Sequence, residues 1–282
     1  MVYCLLFLLT ASGPYKATAQ PGNRIKEQFR VIAFFTGKQD QAHISFDHEA
    51  NRWLHALSLK HNFQFDSTTD WSLLNTENLK RYQLVIFLDT RPEDEDQRKA
   101  FENYMLTGGA WIGFHFSGFA LTPSDVPQNW DWYHNNFLGS GQYVSNTWRP
   151  TSATLNIKKN TPFTKGLPLQ LKTSPNEWYR WEHDLRNNPD IEILASIDSS
   201  SFPLGTGPKQ HEIWHQGYYP VVWTNTKFHM IYFNMGHNDI DYENRTNKDL
   251  SLTFGNKFQD RFVENAILYM VGGKQQLRVV SR

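Results

Sequence analysis

The hydrophobic residues of this chain form short unbroken runs in its first half. Three such runs lie at 29–37 (FRVIAFFTG), 84–88 (LVIFL) and 108–118 (GGAWIGFHFSG). Unbroken apolar runs of this length are typical of parallel strands that are buried on both faces of a sheet. The segment 62–70 (NFQFDSTTD) alternates polar and apolar residues, and it predicts a further short strand.

Helical patterns lie between these strands. Apolar residues recur at helical intervals over 44–61, which predicts a helix that Ser45 or Asp47 caps at its start. A second helix is predicted over 93–109, where acidic residues fill the first turn and Gly108 supplies the C-terminal stop. Strands that alternate with helices in this way predict an α/β fold, a doubly wound and mostly parallel sheet with helices on both faces.

The ends of the buried strands are the predicted location of a ligand site. In doubly wound sheets, ligands bind in the crevice beyond the carboxyl ends of the strands. Three strand ends can be recognised in the sequence, at Thr36–Gly37, Asp89–Thr90 and His115–Phe116. We therefore expect these three pairs of residues to converge on one crevice.

The second half of the chain is less regular. Residues 122–141 are loop-like and aromatic. Strands are predicted at 152–159 (SATLNIKK), 191–198 (IEILASID) and 220–237 (PVVWTNTKFHMIYFNMGH), the last with a hairpin around Asn225–Lys227. A closing helix is predicted over 256–273, with Gly272 as its stop and with one apolar face made of Phe258, Phe262, Ala266 and Tyr269. No repeat or long linker divides this part of the chain, so a single domain is predicted over 29–273, followed by a tail at 274–282.

Charge and aromatic content narrow the classes of partner. The 282 residues include 28 Lys and Arg against 28 Asp and Glu. This balance gives no general attraction to nucleic acids or to anionic membranes. Aromatic residues make up 15% of the chain and 10 of them are tryptophans, which indicates a heavy core or, where polar residues accompany them, a ligand-binding surface.

The N-terminus has the pattern of a secretory signal. An apolar core at Val2–Leu9 is too short to span a bilayer, and Ala17–Ala19 provides a small-x-small cleavage site. We therefore predict a signal peptide over 1–19, a polar leader over 20–28, and a periplasmic or secreted protein.

The single cysteine, Cys4, lies in the predicted signal peptide. The mature chain is therefore expected to have no thiol for a nucleophile, a disulfide or a cysteine zinc site.

The most distinctive candidate for chemistry is His115. It stands at the centre of Gly113–Gly118, which approximates a strand–turn–helix elbow that exposes its central side chain. A histidine there acts as an acid, a base or a metal ligand near neutral pH. Ser117 fits a nucleophile pattern poorly, because His115 and not glycine lies two residues before it, and we assign it to substrate binding. The alternative is a structural histidine that hydrogen-bonds a carbonyl.

Two further histidines follow predicted strands. His43 comes after the first strand, and His237 follows the last strand and a glycine. Each alone is more often structural, but with His115 they mark three strand ends that face one crevice.

An acidic and aromatic segment provides the remaining candidates. Glu177, Trp178 and Tyr179 lie together in 174–184 (SPNEWYRWEHD), and Trp132 lies in the similar 129–136 (NWDWYHNN). Sugars have apolar C–H faces and polar edges, so aromatic rings beside a carboxylate suit them. The alternative is that these rings simply cover the sheet.

A literal H-E-x-x-H pattern also occurs. It runs from His211 to His215 (HEIWH), and the preceding residues, GTGPKQ, include two glycines and a proline. A zinc protease places these letters on a regular helix. An irregular loop does not supply that helix, and we do not predict a metalloprotease.

Taken in order, these segments resemble the ThuA-like, or trehalose-utilisation, family of the class I glutamine amidotransferase-like superfamily. The resemblance covers 29–273 and is carried by FFTGKQDQAH, NLKRYQLVIFLDT, FENYMLTGGAWIGFHFSG, PNEWYRWE, IEILASID and PVVWTNTKFHMIYFNMGH. It implies a flavodoxin-like fold. In the amidotransferases the elbow presents a cysteine; by position His115 replaces it, Glu177 occupies the acidic loop, His237 the last strand end and His43 the first loop. Without a thiol, glutamine hydrolysis through a thioester cannot operate.

The resemblance also implies a role in carbohydrate use, since the family is named for disaccharide utilisation and its genes often lie beside oxidoreductases that make keto-sugars. Our leading hypothesis is an exported protein that binds a glycoside or keto-sugar and processes it as a hydrolase, lyase or isomerase. The catalytic candidates are His115, His237 and Glu177, and the substrate-binding candidates are His43, Trp178, Tyr179, Trp132 and Ser117.

Two alternatives stay open. A non-catalytic carbohydrate-binding protein would depend on Trp178 or Trp132. A metal-assisted hydrolase would use some of the histidines with zinc, whereas the leading hypothesis needs no cofactor. The expected partner is a small-molecule carbohydrate, with no nucleic acid and no membrane after removal of the signal; association into a homo-oligomer also stays open.

Overall fold

The computed structural model describes residues 28–38, 40–121, 130–147, 149–238 and 251–280, the last eight as backbone alone. The signal peptide predicted over 1–19, with Cys4, lies outside the described residues, and so does nearly all of the leader. Within the described ranges, no helix combines the length and the apolar character that crossing a bilayer requires.

One large sheet organises the chain. Among the described residues the strands, in chain order, are β1 (Arg30–Phe34), β2 (Gln64–Thr68), β3 (Leu84–Phe87), β4 (Ala110–Phe114), β5 (Tyr143–Asn146), β6 (Thr154–Ile157), β7 (Gln170–Lys172), β8 (Tyr179–Trp181), β9 (Ile191–Asp198), β10 (Tyr219–Asn225) and β11 (His229–Phe233). Nine of these form a sheet in the order β2-β1-β3-β4-β11-β10-β9-β6-β7, and β5 pairs with β8 separately. In this order, the first five strands, β2-β1-β3-β4-β11, are parallel to one another. The remaining pairs, from β11-β10 to β6-β7, are antiparallel. With β11 in fifth place, the parallel part has the flavodoxin-like order, which confirms the predicted fold class.

Helices cover both faces of this sheet. Those in the described residues are α1 (Gln41–His61), α2 (Thr76–Leu79), α3 (Glu95–Leu106) and α4 (Lys257–Val280). Alternate residues of β1 enter different cores: Val31 and Ala33 join the core under α1 and α4, while Ile32 and Phe34 join the core under α2 and α3. Burial on both faces explains the unbroken apolar runs, since each fully buried large side chain contributes roughly 1.5–3 kcal/mol.

The predicted cap of the first helix is wrong. α1 begins at Gln41, because the side chain of Asp40 accepts a hydrogen bond from the amide of Ala42 at 2.8 Å. Asp47 therefore lies inside the helix, where its side chain is fully buried.

The predicted end of the last helix is also wrong, because α4 continues past Gly272 to Val280. Its buried face is rotated from the predicted one. Phe262 and Ala266 are buried as expected, but Tyr269 is 47% exposed and packs at the border against Phe163.

The other predicted strands are present. IEILASID forms β9, and the hairpin predicted around Asn225–Lys227 joins β10 to β11. In the segment predicted as a loop, residues 122–129 lie outside the described residues, and Trp132–Phe137 form a π-helical turn.

Candidate active site

His115 occupies a strained turn directly after β4. Its φ is +42°, in the left-handed region that residues other than glycine rarely adopt. The ring is buried, and its Nδ1 lies 3.1 Å from the carbonyl oxygen of Asn234. Gly236 makes room for the ring, because a Cβ there would lie 2.5 Å from His115 Cδ2 and closer still to Cβ and Cγ.

Three imidazoles converge at this turn. Ring centroids are 4.9 Å apart for His115 and His237, 4.8 Å for His43 and His237, and 5.7 Å for His43 and His115. Phe114 pairs with Phe233 in the parallel neighbours β4 and β11, so residues that follow the two strands reach the same edge of the sheet. The rings of His115 and His237 are buried, whereas His43 on α1 is half-buried and provides the exposed side of the cluster.

Glu177 completes the cluster. Its Oε2 lies 3.3 Å from Nε2 of His115 and 3.3 Å from Nε2 of His237. For His115 this is an electrostatic contact without the alignment of a hydrogen bond. The other carboxylate oxygen, Oε1, accepts a hydrogen bond from Asn146 Nδ2 at 2.7 Å, and the Glu177 amide donates to the His237 carbonyl at 3.1 Å. The Glu177 side chain keeps 18% of its surface exposed.

Burial and mutual charge set the protonation of these groups. Burial lowers the pKa of His115, and burial together with His237 and His115 lowers the pKa of His43 well below its usual value. Burial acts to raise the pKa of Glu177, but the close contacts with His115 and His237 outweigh the effect of burial, so the pKa is lowered. The cluster thus presents a carboxylate beside two imidazoles, those of His115 and His43, that favour the neutral form.

Tyr179 supports the cluster from one side. Its ring stacks on His115 with centroids 4.0 Å apart, and it also borders a cavity of about 330 Å³ together with Trp181 and Tyr218. Burial, and then the charge of Glu177, raises the pKa of the Tyr179 hydroxyl, which therefore stays protonated.

Three of the predicted substrate-binding residues do not face the cluster. Trp178 is fully buried in the core under α1 and α4, and its indole donates to the Thr151 carbonyl at 2.7 Å. Glu177 and Tyr179, the residues on either side of Trp178, both contact His115, so Trp178 points away from the side that they share.

Trp132 and Ser117 are likewise displaced from the cluster. Trp132 stacks on Phe137 and contacts Phe228, which precedes β11 and so lies at the opposite edge of the sheet from His237. Ser117 is fully buried; its Oγ has no hydrogen-bond partner among the described residues and lies over Gly113, back along β4.

A cavity of about 580 Å³ adjoins the cluster, within the size range of small-molecule sites. Its wall includes Thr36, His43, Asp89 and Phe116, residues at or beyond the ends of β1, β3 and β4. Thr36 donates to Asp89 from its amide at 2.9 Å and from its hydroxyl at 2.6 Å. The three strand ends therefore converge as the sequence predicts.

Sequence reasoning missed the residues that orient the cluster. Asn234 orients His115 and Asn146 orients Glu177, yet both asparagines lie in apolar or mixed segments without any motif.

The H-E-x-x-H pattern forms no regular helix. Gln210–Glu212 is a single 3₁₀ turn, and His211 and His215 are exposed.

Comparison with known proteins shows which relatives share this arrangement of elements. A family model named ThuA and described as trehalose utilisation matches residues 31–253. A ThuA-like protein from Bacteroides uniformis is 32% identical, and its crystal structure matches with a TM-score of 0.76 over 90% of this chain and 96% of that one. A ThuA-like protein from Parabacteroides merdae is 17% identical, with a TM-score of 0.60 over 87% of this chain and 91% of that one.

A more distant match concerns the fold alone. A β-galactosidase from Rahnella sp. R3 is 14% identical and gives a TM-score of 0.50, covering 87% of this chain and 31% of that enzyme. No curated protein sequence matches the chain.

Proposed function

The chain belongs to the ThuA trehalose-utilisation family, and from this premise we propose that it binds a glycoside or keto-sugar and processes it at the cluster of His115, His237 and Glu177. Membership of the family gives the chain a role connected with carbohydrates. The observation that carries the chemical proposal is the position of Glu177 Oε2, 3.3 Å from the Nε2 atoms of two histidines at a sheet edge beside a cavity.

Acid–base chemistry is the reaction class that these groups suit. In a keto-glycoside, a base removes the proton from the carbon next to the ketone, the glycosidic C–O bond breaks, and an acid gives a proton to the departing oxygen. This elimination requires one base and one acid, and it needs neither oxidant nor reductant. A carboxylate that touches two imidazoles provides both roles within a few ångströms.

The alternative of a sugar-binding protein without catalysis loses its main support. This alternative required a sugar to stack on the exposed ring of Trp178 or Trp132. Trp178 is fully buried, and Trp132 packs beside Phe228 at the far edge of the sheet. A sugar seated beside the cluster would instead contact His43 and Phe116, which line the larger cavity.

The Glu177→Gln variant tests the proposal. The amide keeps the shape of the side chain but cannot accept a proton, so we expect kcat/KM for the sugar to fall by about 100-fold or more. Turnover of trehalose, other glycosides and their keto forms should be followed by product chromatography. Glu182→Gln is the matched control, since Glu182 lies in the same segment but is exposed and outside the cluster. Equal turnover in wild type and Glu177→Gln would remove Glu177 from the mechanism.

We also propose that the chain is exported, on the strength of the apolar core at Val2–Leu9 and the Ala17–Ala19 site. The full chain should be expressed with its own N-terminus in a Gram-negative host and recovered from the periplasm. N-terminal sequencing is expected to begin at Gln20. A product that retains residues 1–19 in the cytosol would contradict export.

A further inference from the structure

We propose that His43, His115 and His237, together with Glu177, bind one divalent transition-metal ion, with zinc as the first candidate. The proposal rests on the proposed function in that it concerns the same cluster, and it adds a metal to that site. Each histidine offers a ring nitrogen, and these three atoms all lie within 4.8 Å of one another. Imidazole nitrogen is a preferred ligand of zinc and of its neighbours in the first transition series.

The fixed tautomer of His115 leaves a lone pair facing the cluster. Nδ1 lies 3.1 Å from the carbonyl oxygen of Asn234, which only accepts hydrogen bonds, so Nδ1 carries the proton. In the neutral ring, Nε2 then has no proton. This atom is buried, has no hydrogen-bond partner among the described residues, and lies 3.3 Å from Glu177 Oε2. Two acceptors that face each other repel, and a cation held between them turns that repulsion into attraction.

The separations fit a tetrahedral metal. Bonds of about 2.0–2.1 Å place the ligand atoms of a tetrahedral zinc about 3.3–3.4 Å apart. Glu177 Oε2 lies 3.3 Å from the Nε2 atoms of both His115 and His237. A direct hydrogen bond between charged groups is shorter, at about 2.7–2.9 Å. The ring of the third histidine, His43, has its centroid 4.8 Å from that of His237 and 5.7 Å from that of His115.

Neighbouring groups orient the proposed ligands by hydrogen bonds, as the residues around the ligands of a metal site commonly do. The Asn234 carbonyl orients His115, and Asn146 Nδ2 donates to Oε1 of Glu177, which leaves Oε2 for the metal. The Glu177 amide donates to the His237 carbonyl at 3.1 Å and ties two of the ligands together.

The exposed side of the cluster indicates what a bound metal would contact. His43 lines the cavity of about 580 Å³, so the ion would lie at the inner end of that cavity. A hydroxyl or ketone oxygen of a sugar entering the cavity would reach the ion and displace Glu177 from it. The released carboxylate would then serve as the base that the proposed function requires.

Metal binding should be measured on protein purified without a histidine tag. Titration of the metal-free protein with Co²⁺ is expected to give visible absorption bands of a tetrahedral ion that saturate at one equivalent, and Zn²⁺ should abolish them by competition. Elemental analysis after equilibration with Zn²⁺ and gel filtration should give the same stoichiometry.

Substitutions identify the ligands. His43→Ala is expected to weaken Zn²⁺ binding by more than about 100-fold, because loss of outer-shell partners alone costs 10–100-fold. Alanine suits this helical position, and His43→Gln, which keeps the bulk but not the imidazole, should behave in the same way. Circular dichroism checks that both variants fold. A His211→Ala/His215→Ala double variant is the matched control, because these two histidines are exposed and outside the cluster.

Each result has a distinct meaning. The absence of stoichiometric binding to wild-type protein, or binding that is lost in the His211/His215 double variant and kept in His43→Ala, would overturn the metal site. Sugar turnover by metal-free protein in the presence of a chelator would rule out the catalytic metal and leave the proposed function intact. Tight Zn²⁺ binding that depends on His43, without turnover of any sugar, would keep the metal site and count against the proposed function.

Discussion

The Asp47→Asn variant is expected to be more stable than the wild-type protein by up to about 4 kcal/mol at pH 7. Asp47 lies inside α1 with its side chain fully buried and both carboxyl oxygens out of contact with solvent. Burial first, and then the charge of Asp89, raise the pKa of Asp47 to about 10, while the nearby Gly37 amide offsets a small part of the rise. The carboxyl group therefore stays protonated in the folded protein at neutral pH.

The pH dependence follows from this raised pKa. In the unfolded chain the same group has a pKa near 3.9, so between about pH 4 and pH 10 the folded state holds a proton that the unfolded state releases. The stabilisation from Asp47 is complete below pH 4, and it falls by about 1.4 kcal/mol for each pH unit until the folded-state pKa is passed. Asparagine is neutral at every pH, so it avoids this loss.

Denaturant unfolding at pH 5 and at pH 8 measures the effect. The difference in unfolding free energy between Asp47→Asn and wild type should increase with pH, by roughly 4 kcal/mol across this interval. Asp96→Asn is the control, since Asp96 is exposed in the first turn of α3 and its replacement should change stability by less than about 1 kcal/mol. A wild-type protein as stable as Asp47→Asn at pH 8 would show that Asp47 ionises inside the fold.

The convergence of the histidines could be predicted because topology alone produces it. Carboxyl ends of neighbouring parallel strands meet at one edge, so His115 after β4 and His237 after β11 must lie close together once β4 and β11 are neighbours. The glycine-bounded turn further indicated that His115 occupies a special backbone position, and its φ of +42° agrees. The partner that fixes the ring, the Asn234 carbonyl, is a backbone atom and therefore carries no signal in the sequence.

The tryptophans could not be placed because aromatic residues look alike in a core and in a sugar site. One feature of the acidic segment could have helped: in an extended chain, successive side chains point to opposite sides. In the structure Glu177 and Tyr179 both contact His115, and Trp178 between them lies in the core on the other side. The cap of α1 was assigned wrongly for a related reason. An aspartate near the start of a helix usually caps that helix. Only the tertiary structure shows that Asp47 instead lies beside the buried Asp89.

The Gly236→Ala variant is expected to lose about 3 kcal/mol of stability and to displace His115 from the cluster. The added Cβ would overlap the Cβ and Cγ atoms of His115 and lie 2.5 Å from its Cδ2. The ring has little room to move, because it stacks on Tyr179 and its Nδ1 is bonded to the Asn234 carbonyl. Displacement of the ring is expected to break the contact of His115 with Glu177.

Gly272→Ala is the matched control, because it adds the same methyl group where no atom lies within 4 Å. That glycine is inside α4, so alanine there should stabilise the protein by about 0.5–1 kcal/mol. Opposite signs for the two substitutions, measured by urea unfolding, would separate the clash from the general effect of replacing glycine. A Gly236→Ala protein that unfolds at the wild-type urea concentration and retains the His115 imidazole signal of the wild type by NMR would mean that the ring has room to move, and that glycine at this position is not what holds the cluster together.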